Sequence, residues 1–355
     1  MRLSDFDYEL PDDRVAQEPR PRGSSRLLVV DRSAGSWREA TIADLPRLVG
    51  RGDVIVANDT RVFPARLIGR RDPSGGAVEC LLLERLAGGD WLALVHPGHK
   101  LKPGAGMIFE DQARAPGITI HAEVRERMFF GRRRLTLTVR TAGTATPTDV
   151  DRAIDALGHV PLPPYIRRPD DEADRERYQT VFAKERGSIA APTAGLHFDA
   201  PLISALRDAG VDWTTLTLHV GYGTFKPVRT EDVLQHRVDA ERFDIPDATA
   251  AAVGRARAVR GRVVAVGTTT TRALETAATD EGTVHAGPGV SDLFIYPGHR
   301  FRVVDALVTN FHLPRSSLFM LVCAFGGRDL MLAAYRDAIA RGFLFYSYGD
   351  AMFIE

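Results

Sequence analysis

Apolar residues along this chain come in short runs that alternate between two periods. Leu27–Val30 reads as a strand, followed by a turn near Ser33–Ser36 and a return strand through Trp37. Asp53–Ala57 (D-V-I-V-A) has the continuous apolar character of a strand buried on both faces. Between them Ile42–Val49 predicts a short helix, interrupted by Pro46. From about Pro64 to Ala145 the runs are all strand-like: Ala77–Leu83, Trp91–Val95, Ile118–Val124 and the strictly alternating Leu135–Val139. Gly and Pro turns separate them, as in a small all-β domain. After a helix at Asp149–Leu157 and a Pro-rich connector (160–168), the charged stretch Arg167–Arg177 reads as mobile. Strand and helix then alternate. Helices are predicted at Asp199–Ala209, Asp247–Val259, near Arg272–Ala278, at Ser317–Phe325 and at Asp329–Arg341, and the chain closes on an aromatic strand over 343–354. The pattern implies an α/β fold: a main α/β domain with a barrel-like mixed sheet (1–63 and 146–355) and a smaller inserted all-β barrel domain (64–145).

Four segments stand at predicted strand exits and are rich in Gly, Thr and His. They are A-P-T-A-G-L-H-F (191–198), L-H-V-G-Y-G-T-F (218–225), G-T-T-T-T-R (267–272) and T-N-F-H-L-P-R-S-S (309–317). A fifth exit, N-D-T-R-V-F-P-A-R-L (58–67), is polar as well. In α/β proteins such exits gather at the carboxyl ends of the strands, where ligands bind. The expectation is one pocket shared by His197, His219, Thr269 and His312.

Charge alters this picture only locally. The 355 residues balance at zero net charge, yet residues 61–140 hold 14 Lys and Arg against 8 Asp and Glu. Arg125, Arg127, Arg132–Arg134, Lys100 and Lys102 make that segment a candidate phosphate-contacting face. The two cysteines, Cys80 and Cys323, form no CxxC pair. The N-terminus carries no apolar signal core, and the longest apolar run, Leu318–Phe325, is too short to span a bilayer. A reduced, cytoplasmic protein is expected.

Several chemistries are disfavoured by spacing. G-Y-G-T-F-K places Lys226 where a dinucleotide fingerprint needs its third glycine, and Pro227 follows. P-loop and G-x-S-x-G patterns do not occur. His197, His219 and His312 sit on separate loops without metal-ligand spacing, which suits acid–base or hydrogen-bonding work better than a metal.

The strings D-F-D-Y-E-L-P, S-R-L-L-V, N-D-T-R-V-F-P-A-R-L, A-P-T-A-G-L-H-F, L-H-V-G-Y-G-T-F, V-G-T-T-T-T-R-A-L-E, T-N-F-H-L-P-R-S-S-L-F-M-L-V and Y-G-D-A-M-F-I occur in order over nearly the whole chain. In these the chain resembles the QueA family, the S-adenosylmethionine:tRNA ribosyltransferase-isomerases of queuosine biosynthesis. The resemblance implies an α/β domain with an inserted β-barrel. It also implies a reaction on tRNAs with GUN anticodons whose wobble base is 7-aminomethyl-7-deazaguanine. The ribosyl part of S-adenosylmethionine moves to the aminomethyl group and rearranges to an epoxycyclopentanediol, giving epoxyqueuosine, adenine and methionine. S-adenosylmethionine is then a consumed co-substrate, with no cofactor and no metal, and the partner is the anticodon stem–loop; separately, the sequence shows no self-association segment, so a monomer is expected.

Set against the residues, this chemistry needs a base at the carbon next to the sulfonium and a proton donor for departing adenine. His219 and His197 are the catalytic candidates, with His312 behind them. Phe198, Tyr222 and Phe311 are candidates to stack on adenine or face the sulfonium. Asp59, Arg61 and Asn310 are candidates for the ribose hydroxyls or the methionine head group. The remaining exit residues, Pro192, Thr193, Gly195, Gly221, Gly223, Thr268, Thr269, Thr270, Arg272, Arg315 and Ser316, complete the substrate-binding set. A methyltransferase would need a Gly-rich strand–loop–helix near its N-terminus, which this chain lacks. A non-catalytic RNA binder would have no use for the polar strand-end loops.

Overall fold

The structure is a computed structural model and describes residues 1–141, 149–225 and 228–355. It divides into two compact units. The first comprises Met1–Arg61, Pro163–Arg168 and Arg177–Glu355, and the second Val62–Leu162 with Pro169–Glu176. In chain order the strands are β1 (Arg26–Asp31), β2 (Ser36–Thr41), β3 (Val54–Asn58) and β4 (Thr60–Val62). Next come β5 (Arg66–Asp72), β6 (Ala77–Arg85), β7 (Trp91–His96), β8 (Gly106–Glu110), β9 (Ile118–Arg127) and β10 (Arg132–Thr141). They are followed by β11 (Glu185–Ser188), β12 (Asp212–Leu218), β13 (Glu241–Ile245), β14 (Val263–Val266), β15 (Gly287–Ser291), β16 (Ala306–Asn310) and β17 (Ala351–Ile354).

The first unit is built on a mixed sheet of order β15-β13-β12-β3-β14-β16-β17-β1-β2. Its centre, β12-β3-β14-β16, is parallel throughout, and β17 runs antiparallel to β16. The unbroken apolar runs follow from burial on both faces. Val54, Val56, Val263, Ala265 and Leu307 face one core; Ile55, Ala57, Val264, Val266 and Val308 face the other. The first core is covered by Ala252, Val253 and Ala256 of the helix Asp247–Ala258 and by the two C-terminal helices, Ser317–Gly326 and Arg328–Ala340. The second is covered by Leu202, Ile203 and Leu206 of the helix Ala200–Asp208, which Asp199 caps through its carboxylate. No single helix among the described residues is long and apolar enough to cross a membrane.

The second unit is a closed barrel of order β10-β7-β6-β5-β8-β9, with every pair antiparallel. Gly69 permits closure, since a Cβ there would lie 2.1 Å from the Ile108 carbonyl oxygen on β8. The unit extends further than the 64–145 segment read from the pattern. The helix Val150–Leu157 packs Ala153, Ile154 and Leu157 beside β9 and β10. Arg175 bonds the Asp155 and Gly158 carbonyls, and Asp170 accepts from His159 at 2.9 Å, which ties 169–176 to the same body. The expected boundary at 145/146 lies outside the described residues, as do Lys226 and Pro227.

Three element ends differ from the pattern. The helix expected near Arg272–Ala278 spans Thr268–Thr276, because Gly267 at φ 90° turns β14 straight into it. The strand that feeds the 309–317 exit begins only at Ala306, although the apolar run starts at Val303, because the Glu275 carboxylate takes the Val303 and Val304 N–H groups. Only Ala351–Ile354 of the aromatic tail is strand; Leu344 and Asp350 N–H···O bonds fold 344–350 into a compact turn.

Candidate active site

The parallel strands β12, β3, β14 and β16 all end on one edge of the sheet, and a cavity of about 630 Å³ lies within the first unit there. Pro192, Thr193, Thr268, Thr269, Asn310, Phe311, His312, Arg315 and Ser316 line it. Tyr165, Arg167, Tyr346 and Ser347 complete the wall. The lining contains no Asp or Glu among the described residues.

Each wall has a local cause. Gly267, with its left-handed φ, begins a helix whose first N–H groups lie beside the cavity residues Thr268 and Thr269. Thr270 and Thr271 turn their hydroxyls back onto the Val266 and Gly267 carbonyls at 2.7 and 3.1 Å. These two hydroxyls are thereby committed to the helix.

Asn310, the last residue of β16, is the hub. Its Oδ1 accepts from the Thr193 hydroxyl at 3.1 Å, while its Nδ2 reaches the Tyr346 carbonyl and His197 Nε2, both at 3.0 Å. Those partners fix the amide orientation, so Nε2 of His197 is an acceptor and Nδ1–H donates to the Ser25 hydroxyl at 2.7 Å. Burial pushes the His197 pKa down to about 4. His197 is thus a neutral imidazole with both nitrogens used, one hydrogen bond behind the cavity.

His312 lies in the wall itself. Its ring Nε2 pairs with the Thr309 hydroxyl at 2.8 Å, its backbone N–H donates to the Tyr335 hydroxyl at 3.2 Å, and its backbone carbonyl accepts from the Tyr8 hydroxyl. Burial pushes its pKa down to about 3. Nδ1 makes no hydrogen bond among the described residues. Tyr165 and Tyr346 stack at 4.2 Å and 22°, and the Tyr165 hydroxyl meets Ser347 Oγ at 2.5 Å. Arg167 is held by Asp12 at 3.2–3.3 Å and Arg315 by Asp7, with Arg315 at φ 57°.

The other expected site residues stand elsewhere or spend their side chains on the fold. Asp59 spends its carboxylate on the Thr215 and Thr217 hydroxyls at 2.9 and 2.7 Å, and Arg61 is exposed. Phe198 is wholly buried against Trp213, and the Phe311 ring is locked among Tyr335, Phe343 and Phe345, so neither ring is open to a nucleobase. Gly195 lets Thr180 and Phe182 approach closely. Arg272 clamps its helix to Glu241 and to the Leu293 and Ser291 carbonyls. Glu241 also accepts from the Gly221 N–H at 2.8 Å, and Gly223 packs against Asp239. Tyr222 is exposed. His219 lies outside the cavity lining, with Nδ1 on the Thr60 hydroxyl at 2.9 Å and its ring against Gly187. Ser316 lines the cavity but serves as the cap of the helix Ser317–Gly326. Among the described residues no three His, Cys, Asp or Glu side chains gather as a metal would require.

Tyr165, Arg167, Tyr346 and Ser347 were not singled out by the sequence. Their signal was faint: aromatic residues inside the Pro- and Gly-punctuated stretches P-P-Y and F-Y-S-Y-G.

A family model described as "Queuosine biosynthesis protein" matches residues 3–354. The S-adenosylmethionine:tRNA ribosyltransferase-isomerase of Symbiobacterium thermophilum is 48% identical over 355 residues, covering all of both chains. The protein of that name from Anaeromyxobacter sp. is 51% identical, covering 100% of this chain and 99% of the relative. The crystal structure of the S-adenosylmethionine tRNA ribosyltransferase from Thermotoga maritima is 35% identical. It matches at TM-score 0.54, over 99% of this chain and 100% of that one.

Proposed function

The chain belongs to the queuosine biosynthesis protein family, and from that premise we propose that it is an S-adenosylmethionine:tRNA ribosyltransferase-isomerase working in the cavity at the sheet edge. It transfers the ribosyl group of S-adenosylmethionine to 7-aminomethyl-7-deazaguanine at the wobble position of GUN tRNAs and isomerises it, forming epoxyqueuosine-tRNA and releasing adenine and methionine. S-adenosylmethionine is consumed as co-substrate and no other cofactor takes part. The tRNA enters by its anticodon stem–loop, and the protein acts as a cytoplasmic monomer.

One observation carries the reading: a cavity of this size whose wall holds a neutral imidazole, amide and hydroxyl groups and stacked tyrosines, but no carboxylate among the described residues. A sulfonium acidifies the neighbouring C5′–H because its positive charge is unquenched. A carboxylate beside it would weaken that effect. Tyrosine faces attract the cation by about 0.5–2 kcal/mol without supplying a counter-charge. The N-terminus of the helix Thr268–Thr276 offers positive potential for the methionine carboxylate, and Arg167 and Arg315, whose charges Asp12 and Asp7 partly offset, add N–H donors.

His312 is the group placed to accept the C5′ proton. In the tautomer that gives Nε2–H to the Thr309 hydroxyl, the Nδ1 lone pair is open to a substrate proton, and burial keeps the ring neutral at neutral pH. Burial raises the pKa of Tyr165 and Tyr346 in the wall, so these hydroxyls keep their protons. His197 acts as a positioning residue, holding Asn310 in the orientation that presents Thr193. His219 supports the Thr60–Ser188 hydroxyl pair (2.8 Å) below the loop carrying Val220.

Product analysis tests this reading. Protein, S-adenosylmethionine and tRNA bearing the aminomethyl base should release adenine and methionine in equal amounts. S-adenosylhomocysteine would mean methyl transfer, and release of neither product would leave only an RNA-binding role.

A further inference from the structure

The hairpin joining β9 to β10 carries the most exposed aromatic pair in the described residues. Phe129 is 86% and Phe130 91% exposed, with Met128 beside them at 37%. Apolar rings so placed normally fold back onto a core. Here the backbone prevents it. Phe130 takes a left-handed φ of 56° and Gly131 a φ of 79°, which turn the chain so that both rings project outward.

The tip is also braced. Arg133 is 3% exposed, and its guanidinium donates to four carbonyls: Leu101 at 3.1 Å, Gly131 at 3.1 Å, Arg132 at 3.0 Å and Gly98 at 2.8 Å. Two of those carbonyls belong to the hairpin and two to the loop at 98–101. A single buried cation therefore holds the aromatic tip against a loop that exposes Lys100 and Lys102. Arg127, at the end of β9, is exposed as well. Rigid aromatic faces rimmed by exposed cations match the two needs of single-stranded RNA: a stacking platform for bases and positive charge for the backbone.

We propose that this hairpin tip is an RNA-contacting element, in which Phe129 and Phe130 stack on unpaired bases of a tRNA loop while Lys100, Lys102 and Arg127 meet its phosphates. The assignment rests on the reading of tRNA as substrate and adds where the second unit grips it. Duplex RNA offers no such stacking faces, so the unpaired loop is the target.

The test uses the full chain and a fluorescein-labelled anticodon stem–loop with a GUN anticodon, followed by anisotropy at several salt concentrations. Phe129→Ala with Phe130→Ala should weaken binding roughly thirtyfold to 10⁴-fold, with an unchanged salt slope. Phe129→Trp with Phe130→Trp should bind within about threefold of the parent, because stacking survives. Lys100→Ala with Lys102→Ala should instead lower the salt slope by about one per cation removed. S-adenosylmethionine affinity and the thermal midpoint should not move in any variant, which separates lost contact from lost fold. Parent-like RNA binding by the double alanine variant overturns the proposal. So does a double alanine variant that keeps its RNA affinity but loses self-association or vesicle binding, which would mark the tip as a protein or membrane contact. If the parent protein fails to bind the stem–loop at all, the tRNA reading itself falls, a result distinct from the first.

Discussion

Acidification should destabilise this protein well above the range where carboxylates protonate. His197 and His312 are buried and neutral, with pKa values of about 4 and about 3 against an ordinary value of 6.5. Below pH 6.5 the unfolded chain therefore binds two protons that the folded chain refuses. Stability is full above pH 6.5 and falls as the pH drops toward the folded values, since it rises with pH wherever the unfolded state holds more protons. Each group contributes about 1.4 kcal/mol per pH unit inside its window. Between pH 6 and pH 4.5 the pair should cost about 4 kcal/mol, a large share of a typical stability of about 5–15 kcal/mol. His219 and His236, whose pKa values burial also lowers, act in the same direction. Asp350, raised by burial, acts in the opposite direction. The assay is urea unfolding followed by tryptophan fluorescence at each pH, on the parent and on His197→Asn with His312→Gln. The double variant should lose most of the slope. Equal slopes in both proteins would show that these imidazoles are not held neutral by the fold, and the reasoning about His312 as an unprotonated acceptor would fail with them.

Three further outcomes follow from the same contacts. Asn310→Ala strands the Thr193 hydroxyl, His197 Nε2 and the Tyr346 carbonyl; urea titration should show a loss of about 3–6 kcal/mol, while Asn310→Asp should alter the pH profile of turnover by bringing a negative charge to the cavity. Arg272→Met leaves Glu241 buried without its cation and should cost about 3–5 kcal/mol; adding Glu241→Gln should restore part of it, as a double-mutant cycle would measure. Gly267→Ala places a Cβ at φ 90° beside Ala194, 3.4 Å away, so a thermal midpoint lowered by a loss of about 1–3 kcal/mol is expected, with S-adenosylmethionine affinity falling as the helix start shifts.

Much of the fold was legible because β3, β14 and β16 must bury both faces, which writes V-I-V-A, V-V-A-V and A-L-V as unbroken apolar runs. The barrel was legible from alternation, as in Leu135 and Leu137 inside with Thr138 outside. What escaped was set by single long-range contacts. Glu275 ends the run at Val303–Val304, and the Val150–Leu157 helix joins the barrel through side chains that pattern alone assigns to either neighbour. The site was half legible for the same reason. Thr193, Thr268, Thr269, Asn310 and His312 sit at strand ends, where topology decides their place. Asp59, Arg272 and Phe198 share that sequence neighbourhood, but their side chains turn inward to Thr215 and Thr217, to Glu241 and to Trp213. Residue type could not say which way each would point. Tyr165 and Tyr346 are far apart in sequence and meet only through tertiary stacking.

The most direct measurement is the rate of adenine release in a single turnover, with both substrates saturating, for His312→Gln beside His219→Gln. If the cavity imidazole takes the C5′ proton, the first variant should slow by about 10²–10⁴-fold while binding S-adenosylmethionine normally, and the second should stay within about tenfold of the parent. A parent-like rate in His312→Gln, with the collapse appearing in His219→Gln, would contradict the account at its centre.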